Sequence, residues 1–270
     1  MLFFVNIATV ATATDELIPD KLFGKTKIVN KHGQFTQVVF IKYERGYIVD
    51  IGDPDGDGNE DGYEIGGWWW NLDKYPNGVP YTINPSRAVR LYGLSEEEII
   101  FEIQAAIEVW ECAINLDDYT PLDETIYSIE LYSDEPTIDY KARASLGFPD
   151  FKNVITWKAL RKGIVAVANM WYYSDTMELV DADNHTKHEV PVGIADGDEG
   201  TRDLSNAFDI RNIVTHEAGH WTGLEDIYDS TYSAMTMYGY SSYGEEMKRS
   251  LECGDIAGAQ VVYEQYRSFE

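Results

Sequence analysis

The residues that could do chemistry are concentrated in one short stretch of the chain, T-H-E-A-G-H-W-T-G-L-E-D. His216 and His220 stand four residues apart, so on a helix both imidazoles leave the same face one turn apart. Two nitrogens at this spacing can bind one Zn²⁺, and Glu217 beside them can take a proton from an attacking water. Gly223 allows a positive-φ turn that ends the helix. The returning chain can then bring Asp226 to the metal as a third ligand, with the fourth position open.

The H-E-x-x-H pattern alone is short enough for a surface helix to carry it by chance. Here a glycine and an aspartate follow it at the spacing that a three-ligand site requires, which favours the metal. Three protein ligands and one open position are typical of catalytic zinc. Asp226 is anionic, so it should make the metal a slightly weaker Lewis acid than a third histidine would.

This stretch resembles the zinc motif of the metzincin endopeptidases, and its flanks resemble the matrixin branch of that family. The family pattern usually has histidine as third ligand, and an aspartate such as Asp226 is the variant found in snapalysin-type small proteases. The segment S-A-M-T-M-Y-G-Y is similar to the metzincin Met-turn, with Met237 the better match and Met235 the alternative. The resemblance implies that the two histidines and the aspartate bind catalytic zinc and that Glu217 is the general base.

The resemblance covers about residues 68–263. The W-W-W entry at residues 68–70 and L-E-C-G-D-I-A-G-A-Q at residues 251–260 are similar to the start and the end of a matrixin catalytic domain. The fold implied is α+β, of the metzincin (zincin-like) type. It contains a twisted, mixed, five-stranded sheet and three core helices, with the active-site helix followed by the Met-turn.

The same resemblance suggests where a substrate would bind. Residues 164–172 would form the antiparallel edge strand above the zinc. The free backbone groups of Val167 and Ala168 would then pair with an extended peptide by strand addition. Tyr238 and Tyr240 would line the pocket, or one of them would donate a hydrogen bond to the oxyanion.

Local patterns predict the elements that carry these motifs. Ser95 begins a capping box, and the helix it starts should run to about Cys112 with one apolar stripe: Ile99, Ile103, Ala106, Ile107 and Trp110. The active-site helix should span residues 207–221. A last helix should start at Gly254, with the periodic positions Ile256, Ala259, Val262, Tyr263 and Tyr266. Strand-like runs fall at residues 35–43, 47–51, 126–131, 153–157, 164–171 and 177–180.

Composition limits the classes of function. The chain has 270 residues, 44% of them hydrophobic, which is enough for one buried domain and a smaller appendage. Its net charge of −26 argues against nucleic-acid binding and suits metal cations. After the first residues no apolar run reaches transmembrane length, so no membrane span is expected in the mature chain. We expect a monomer.

The N-terminal part is expected to be separate from the catalytic domain. Residues 1–13 are apolar and end in A-T-A, which is typical of a cleaved secretory signal, although the usual lysine or arginine is missing. A buried N-terminal strand is the alternative. We therefore expect a secreted protein with an N-terminal segment at 14–67 and a catalytic domain at 68–270. An exported chain could join Cys112 and Cys253 in a disulfide, or both could remain buried thiols.

An acidic loop in the N-terminal segment predicts a calcium site. It has the spacing of a twelve-residue calcium loop, with Gly58 at the sixth position. The expected ligands are Asp53, Asp55, Asp57, Asn59, Asp61 and Glu64. An acidic linker without an ion is the alternative. His185 and His188 lie in another polar stretch, but their spacing is not that of the structural metal sites of matrixins, and solvated histidines are expected there.

Together these features predict a secreted zinc-dependent endopeptidase with a peptide or protein as substrate. The competing hypothesis is a calcium-binding surface or adhesion protein that keeps the fold without activity. Glu217 argues against it, because a silent zinc site has no need of that carboxylate. Residues 14–67 could also be an inhibitory pro-segment. They contain no cysteine for a thiolate latch, so a carboxylate or a steric plug would have to block the site.

Overall fold

A computed structural model describes residues 24–30, 33–45, 62–116, 129–195 and 204–266. The strands are β1 (Gly24–Asn30), β2 (Gly33–Glu44), β3 (Thr82–Ile83), β4 (Thr137–Ile138), β5 (Val154–Lys158), β6 (Ile164–Tyr173), β7 (Leu179–Lys187), β8 (Val192–Gly193), β9 (Phe208–Asp209) and β10 (Tyr240–Ser241). The helices are α1 (Ser86–Tyr92), α2 (Glu96–Asn115), α3 (Ile210–Thr222) and α4 (Cys253–Val262), with short 3₁₀ turns between elements.

One mixed sheet organises the chain. Its strands run in the order β1-β2-β6-β7-β5-β3-β4, and β10 pairs with β2. The pairs among β4, β3, β5 and β7 are parallel, whereas β6 is antiparallel to both of its neighbours. The expected α+β class and mixed sheet are confirmed. The sheet has eight strands instead of five, because β1, β2 and β10 extend it.

The helices follow their local signals. α2 begins with the expected capping box, in which Ser95 accepts from Glu98 N and the Glu98 carboxylate accepts from Ser95 N. It ends at Asn115, about one turn beyond the expected Cys112, and its predicted apolar stripe is buried. α3 begins after Asp209, whose side chain caps Asn212 N, and α4 begins at Cys253. No helix within the described ranges is long and apolar enough to cross a membrane.

The predicted substrate edge is the main correction. β6 lies between β2 and β7, so it is an interior strand in this structure. Val167 pairs with Ile41, and Ala168 pairs with Phe40. The expectation that these two residues offer free backbone groups is therefore wrong for the chain in this conformation. The physical reason is that β2 is buried from Phe35 to Tyr43 and that its backbone groups pair with β6 along this length.

The N-terminal segment is thus part of the sheet. Residues 35–43 form a strand as expected, but their described partners are β1 and β6. The strand-like run at 47–51 lies outside the described residues, as do the expected signal at 1–13 and most of the acidic loop. Because β2 pairs with β6, segments on both sides of residue 67 share one sheet.

Two other strand predictions need correction. The strand-like run at 177–180 forms a strand from Leu179 onward, and this strand, β7, continues through the polar stretch that contains His185 as far as Lys187. The buried Asp183 carboxylate is tolerated because both of its oxygens have donors: it accepts from Val154 N at the start of β5 at 2.9 Å and from Ser145 N at 2.5 Å. The run at 126–131 forms no strand in its described part, residues 129–131.

Candidate metal centre

The local fold of α3 brings the predicted ligands together. His216 and His220 leave the same face of this helix one turn apart, as their spacing requires. Gly223 ends the helix in the left-handed region at φ 114°, and its N–H bonds the carbonyls of Gly219 and His220. The chain then turns back and places Asp226 against the two imidazoles.

The three side chains form a group that could hold a metal ion. One ligand atom from each of His216, His220 and Asp226 lies within 4.8 Å of the others. Asp226 Oδ1 is 3.1 Å from His216 Nε2 and 3.6 Å from His220 Nε2. Each of these three atoms is buried and lacks a hydrogen-bond partner. Buried polar atoms without partners are costly, so their convergence fits an ion that would satisfy all three.

The remaining polar atoms of the group are held by neighbours. His216 Nδ1 lies 2.7 Å from Thr236 O, and His220 Nδ1 lies 2.8 Å from Leu224 O. A carbonyl can only accept, so each Nδ1 carries the proton and each Nε2 presents its lone pair. Asp226 Oδ2 accepts from Tyr228 Oη at 2.9 Å. These contacts fix the ring orientations that a metal site requires.

Burial sets the charge state of the site. It lowers the pKa of His216 well below its usual range, with smaller effects from Lys42 and Lys248, and it lowers the pKa of His220 to about 3. Both imidazoles are therefore neutral, which is the form that binds metals. Burial also raises the pKa of Asp226 and raises that of Glu217 well above the usual range. A bound divalent cation would oppose the effect of burial on both carboxyls.

Glu217 is placed as the sequence predicted, next to the ligands on the same helix. Its side chain is fully buried, and neither carboxylate oxygen has a hydrogen-bond partner. A carboxylate that served only to stabilise the fold would normally be paired. The absence of a partner among the described residues leaves both oxygens available to a ligand of the site.

Met237 packs against α3 at Gly219, the residue between the two histidines that directly precedes His220. Its side chain is fully buried. Its Sδ lies so close to Gly219 that a Cβ added there would be 2.2 Å from the sulfur. Met235, the alternative, is only partly buried. Asp255 fixes this turn, because its carboxylate accepts from Thr236 N at 2.8 Å and from Met237 N at 3.1 Å.

The two tyrosines after Met237 lie beside the site. Tyr238 is buried and Tyr240 is half-buried, with ring centroids 5.5 Å apart. Neither donates to the triad, whereas Tyr228 does, and the sequence had not singled it out. The oxyanion role of Tyr238 or Tyr240 stays a prediction. Tyr240 also belongs to β10, which pairs with β2.

Two residues of β2 reach the site, and sequence reasoning missed both. The Phe40 ring stacks on the His220 imidazole, with centroids 4.1 Å apart and planes 11° from parallel. Lys42 is fully buried, and its Nζ lies 3.5 Å from Tyr238 O. Burial, then Lys248, lowers the pKa of Lys42 well below its usual range. The signal was the alternation in β2, which puts a lysine on the same face as Val38 and Phe40.

The structure describes only part of the expected calcium loop and both histidines of the polar stretch. Asp53, Asp55, Asp57, Asn59 and Asp61 lie outside the described residues, so the calcium site stays a prediction. Glu64 is described, and its carbonyl accepts from Glu225 N at 3.0 Å. His185 and His188 join no metal-binding group of the described part of the chain. The expectation that both histidines are solvated is wrong for His185, which is buried within β7, whereas His188 is half-buried and its Nδ1 lies 2.8 Å from an Arg87 nitrogen.

The expected disulfide is wrong, and so is its alternative of buried thiols. Cys112 and Cys253 are both free and exposed. Gln260 of α4 donates to Ala113 O, next to Cys112. Cys253 lies seven residues before Gln260, about 10 Å along the helix, so the two thiols cannot meet.

Comparison with known proteins adds no relative: no family model matches the chain, and no curated protein matches it.

Proposed function

We propose that this chain is a zinc-dependent endopeptidase of the metzincin type. The observation that carries the proposal is the convergence of three unpartnered ligand atoms, from His216, His220 and Asp226, beside a buried and unpartnered Glu217. A catalytic zinc site needs three ligands and a nearby general base. The matrixin-like Met237 beneath the helix supports the same assignment.

Each residue of the site has a role in this proposal. When bound, Zn²⁺ polarises the scissile carbonyl and makes a water more acidic. Glu217 accepts a proton from the attacking water and then donates it to the leaving amine. Its pKa, raised by burial, suits a group that must both accept and release a proton. Tyr228 positions Asp226 by donating to Oδ2, and this leaves Oδ1 for the metal.

The alternative, a silent calcium-binding surface protein, explains the site less well. Such a protein would have no use for a desolvated Glu217 without a partner. Extracellular location and a calcium-ordered N-terminal loop remain parts of the proposal that rest on the sequence.

Metal content and peptide hydrolysis, measured on the same variants, test the proposal. Glu217→Gln should keep one zinc per chain while the basal hydrolysis of a quenched fluorescent peptide falls by about 10²- to 10⁴-fold. Asp226→Asn should weaken zinc binding by at least tenfold, because it removes the only anionic ligand. The matched control is Glu225→Gln, which neutralises the adjacent carboxylate and should keep the metal. Zinc loss in that control equal to the loss in Asp226→Asn, or full hydrolysis by Glu217→Gln, would contradict the assignment.

A further inference from the structure

The metal-binding group is closed to solvent in this structure. His216, His220 and Glu217 are 0% exposed, and Asp226 is 8% exposed. Strand β2 shields the group from solvent, because the Phe40 ring stacks on the His220 imidazole and the Lys42 side chain lies against the Tyr238 carbonyl. A site that hydrolyses peptides must admit an extended chain, so the position of β2 bears directly on activity.

β2 is bound in the way that an extended peptide would be. On one side it is antiparallel to β6, from Phe35↔Tyr173 to Tyr43↔Ile164. On the other side it is parallel to β10, with Tyr43 N donating to Gly239 O at 3.1 Å and Arg45 N donating to Ser241 O at 2.7 Å. Main-chain bonds of this kind do not depend on side-chain identity, so the cleft between β6 and β10 can accept other extended segments.

One side chain of β2 is poorly satisfied in this cleft. Lys42 is fully buried, and the one hydrogen bond of its ammonium to a described residue is the 3.5 Å contact with Tyr238 O. Lys248 already occupies the better acceptors, at 2.5 Å from Tyr240 O and 3.1 Å from Glu245 Oε1. A buried lysine with one long contact is costly. A cation bound by the triad would repel it further.

The position of β2 in the sheet allows it to leave. β1 and β2 form an antiparallel hairpin at one end of the strand order, and the described part of β1 pairs with β2 alone. Removing the hairpin breaks the pairs with β6 and β10 but leaves every pair among β6, β7, β5, β3 and β4. The remaining sheet has β6 at its edge, with its backbone groups free.

We propose that the β1–β2 hairpin is an internal occupant of a peptide-binding cleft between β6 and β10, and that the chain is latent until the hairpin leaves. This inference rests on the proposed function, because it concerns the regulation of the same site. The blocking groups are Phe40, over a metal ligand, and Lys42, beside Tyr238. The strand direction is the one that a peptide would take when it adds antiparallel to β6.

A reversible covalent lock tests the inference on the full chain. Ile41 and Val167 face each other across β2 and β6 and pack in a cluster on the side away from the triad. Their directly opposed positions suit a disulfide after Ile41→Cys and Val167→Cys. Cys112→Ser and Cys253→Ser remove the native thiols. The Ile41→Cys single variant in the same background controls for the reductant.

Two readouts are taken on the zinc-loaded protein, oxidised and reduced: peptide hydrolysis and binding of a peptide hydroxamate. We expect the reduced form to exceed the oxidised form at least tenfold in both, with no redox effect in the control. Equal and detectable hydrolysis, or equal and detectable probe binding, in the two forms overturns the latency, and so does the absence of probe binding from both forms and from Phe40→Ala. Probe binding by the reduced form alone, without hydrolysis in either form, supports the occluded cleft and contradicts the peptidase function instead.

Phe40→Ala gives a second test that needs no disulfide. It removes the ring that stacks on His220, so probe binding and hydrolysis should both rise at least tenfold over the unmodified chain. Val39→Ala is the matched control, because Val39 belongs to the cluster on the opposite face of β2. An equal rise in the two variants, or no rise in Phe40→Ala, would overturn the role of Phe40 as a plug.

Discussion

Substitution of Gly219 by alanine tests whether helix α3 is packed as closely as the structure indicates. Gly219 lies on α3 directly before His220. A Cβ at this position would lie 2.2 Å from Met237 Sδ and 2.7 Å from Trp110 Cζ2. The indole cannot yield easily, since Trp110 Nε1 donates to Thr215 O at 2.8 Å in the buried interface. Met237 is restrained as well, because its backbone N–H bonds Asp255.

The expected magnitude follows from two opposing effects. Alanine is favoured over glycine in a helix interior by about 1 kcal/mol. Overpacking a filled core costs about 1–3 kcal/mol, and two contacts under 3.0 Å place this site near the upper end. We therefore expect Gly219→Ala to lower the free energy of unfolding by about 1–2 kcal/mol. Zinc affinity should fall as well, because the helix must shift next to both histidines.

Urea unfolding of the zinc-free protein measures the stability, and competition with a chelator measures zinc affinity. Gly147→Ala is the control: a Cβ there meets no atom within 4 Å, so its effect should stay within about 0.5 kcal/mol. If Gly219→Ala is more stable than the unmodified chain, helix propensity alone determines the effect of this substitution on the free energy of unfolding. The packing of Met237 and Trp110 against α3 would then be refuted.

Two further predictions concern buried carboxyl groups away from His216, His220 and Asp226. Burial and, to a smaller extent, the charge of Asp181 raise the pKa of Asp183 from 3.8 to about 9. The folded protein therefore keeps a proton on Asp183 over a pH range in which the unfolded chain has released it. The stability that this proton provides is lost as pH rises towards 9. The unfolding free energy of the unmodified chain relative to Asp183→Asn should therefore fall between pH 5 and pH 9 in urea titrations, and a constant difference would contradict this. Glu102 accepts from Arg211 Nε at 2.8 Å and lies 2.9 Å from Arg249 Nη2. Glu102→Ala should lower the free energy of unfolding by about 3–5 kcal/mol, because it leaves buried guanidinium groups with fewer partners. Glu108→Ala, at an exposed position on the same helix, should change the urea midpoint little. Equal effects of the two substitutions would refute the buried network.

The convergence of His216, His220 and Asp226 could be predicted from the sequence because its determinants are local. The spacing of His216 and His220, the turn at Gly223 and the return to Asp226 all lie within one helix and its exit. The helix capped by Ser95 was predictable for the same reason. Short-range geometry leaves few alternatives for such segments.

The parts that sequence reasoning missed depend on distant neighbours. Residues 35–43 read correctly as a strand, but nothing local shows that Gln37 would bond Asn169, 132 residues away. Asp181 and Asp183 belong to a polar stretch of the sequence, yet they lie in the buried strand β7, where Asp181 Oδ2 accepts from Phe151 N and Asp183 Oδ1 accepts from Val154 N. Hydropathy cannot predict a partner that the chain supplies from elsewhere.

The distance in sequence between β2 and β6 has a consequence for how the chain is made. The β1–β2 hairpin is local and can form within microseconds. Its partner β6 begins 120 residues after β2 ends, at Ile164. At about 5–20 residues per second, the ribosome needs roughly 6–24 s to deliver it. During that interval the residues of β2 that are buried in the folded chain cannot pack against β6, and transiently exposed strands of this kind are where nascent chains associate wrongly.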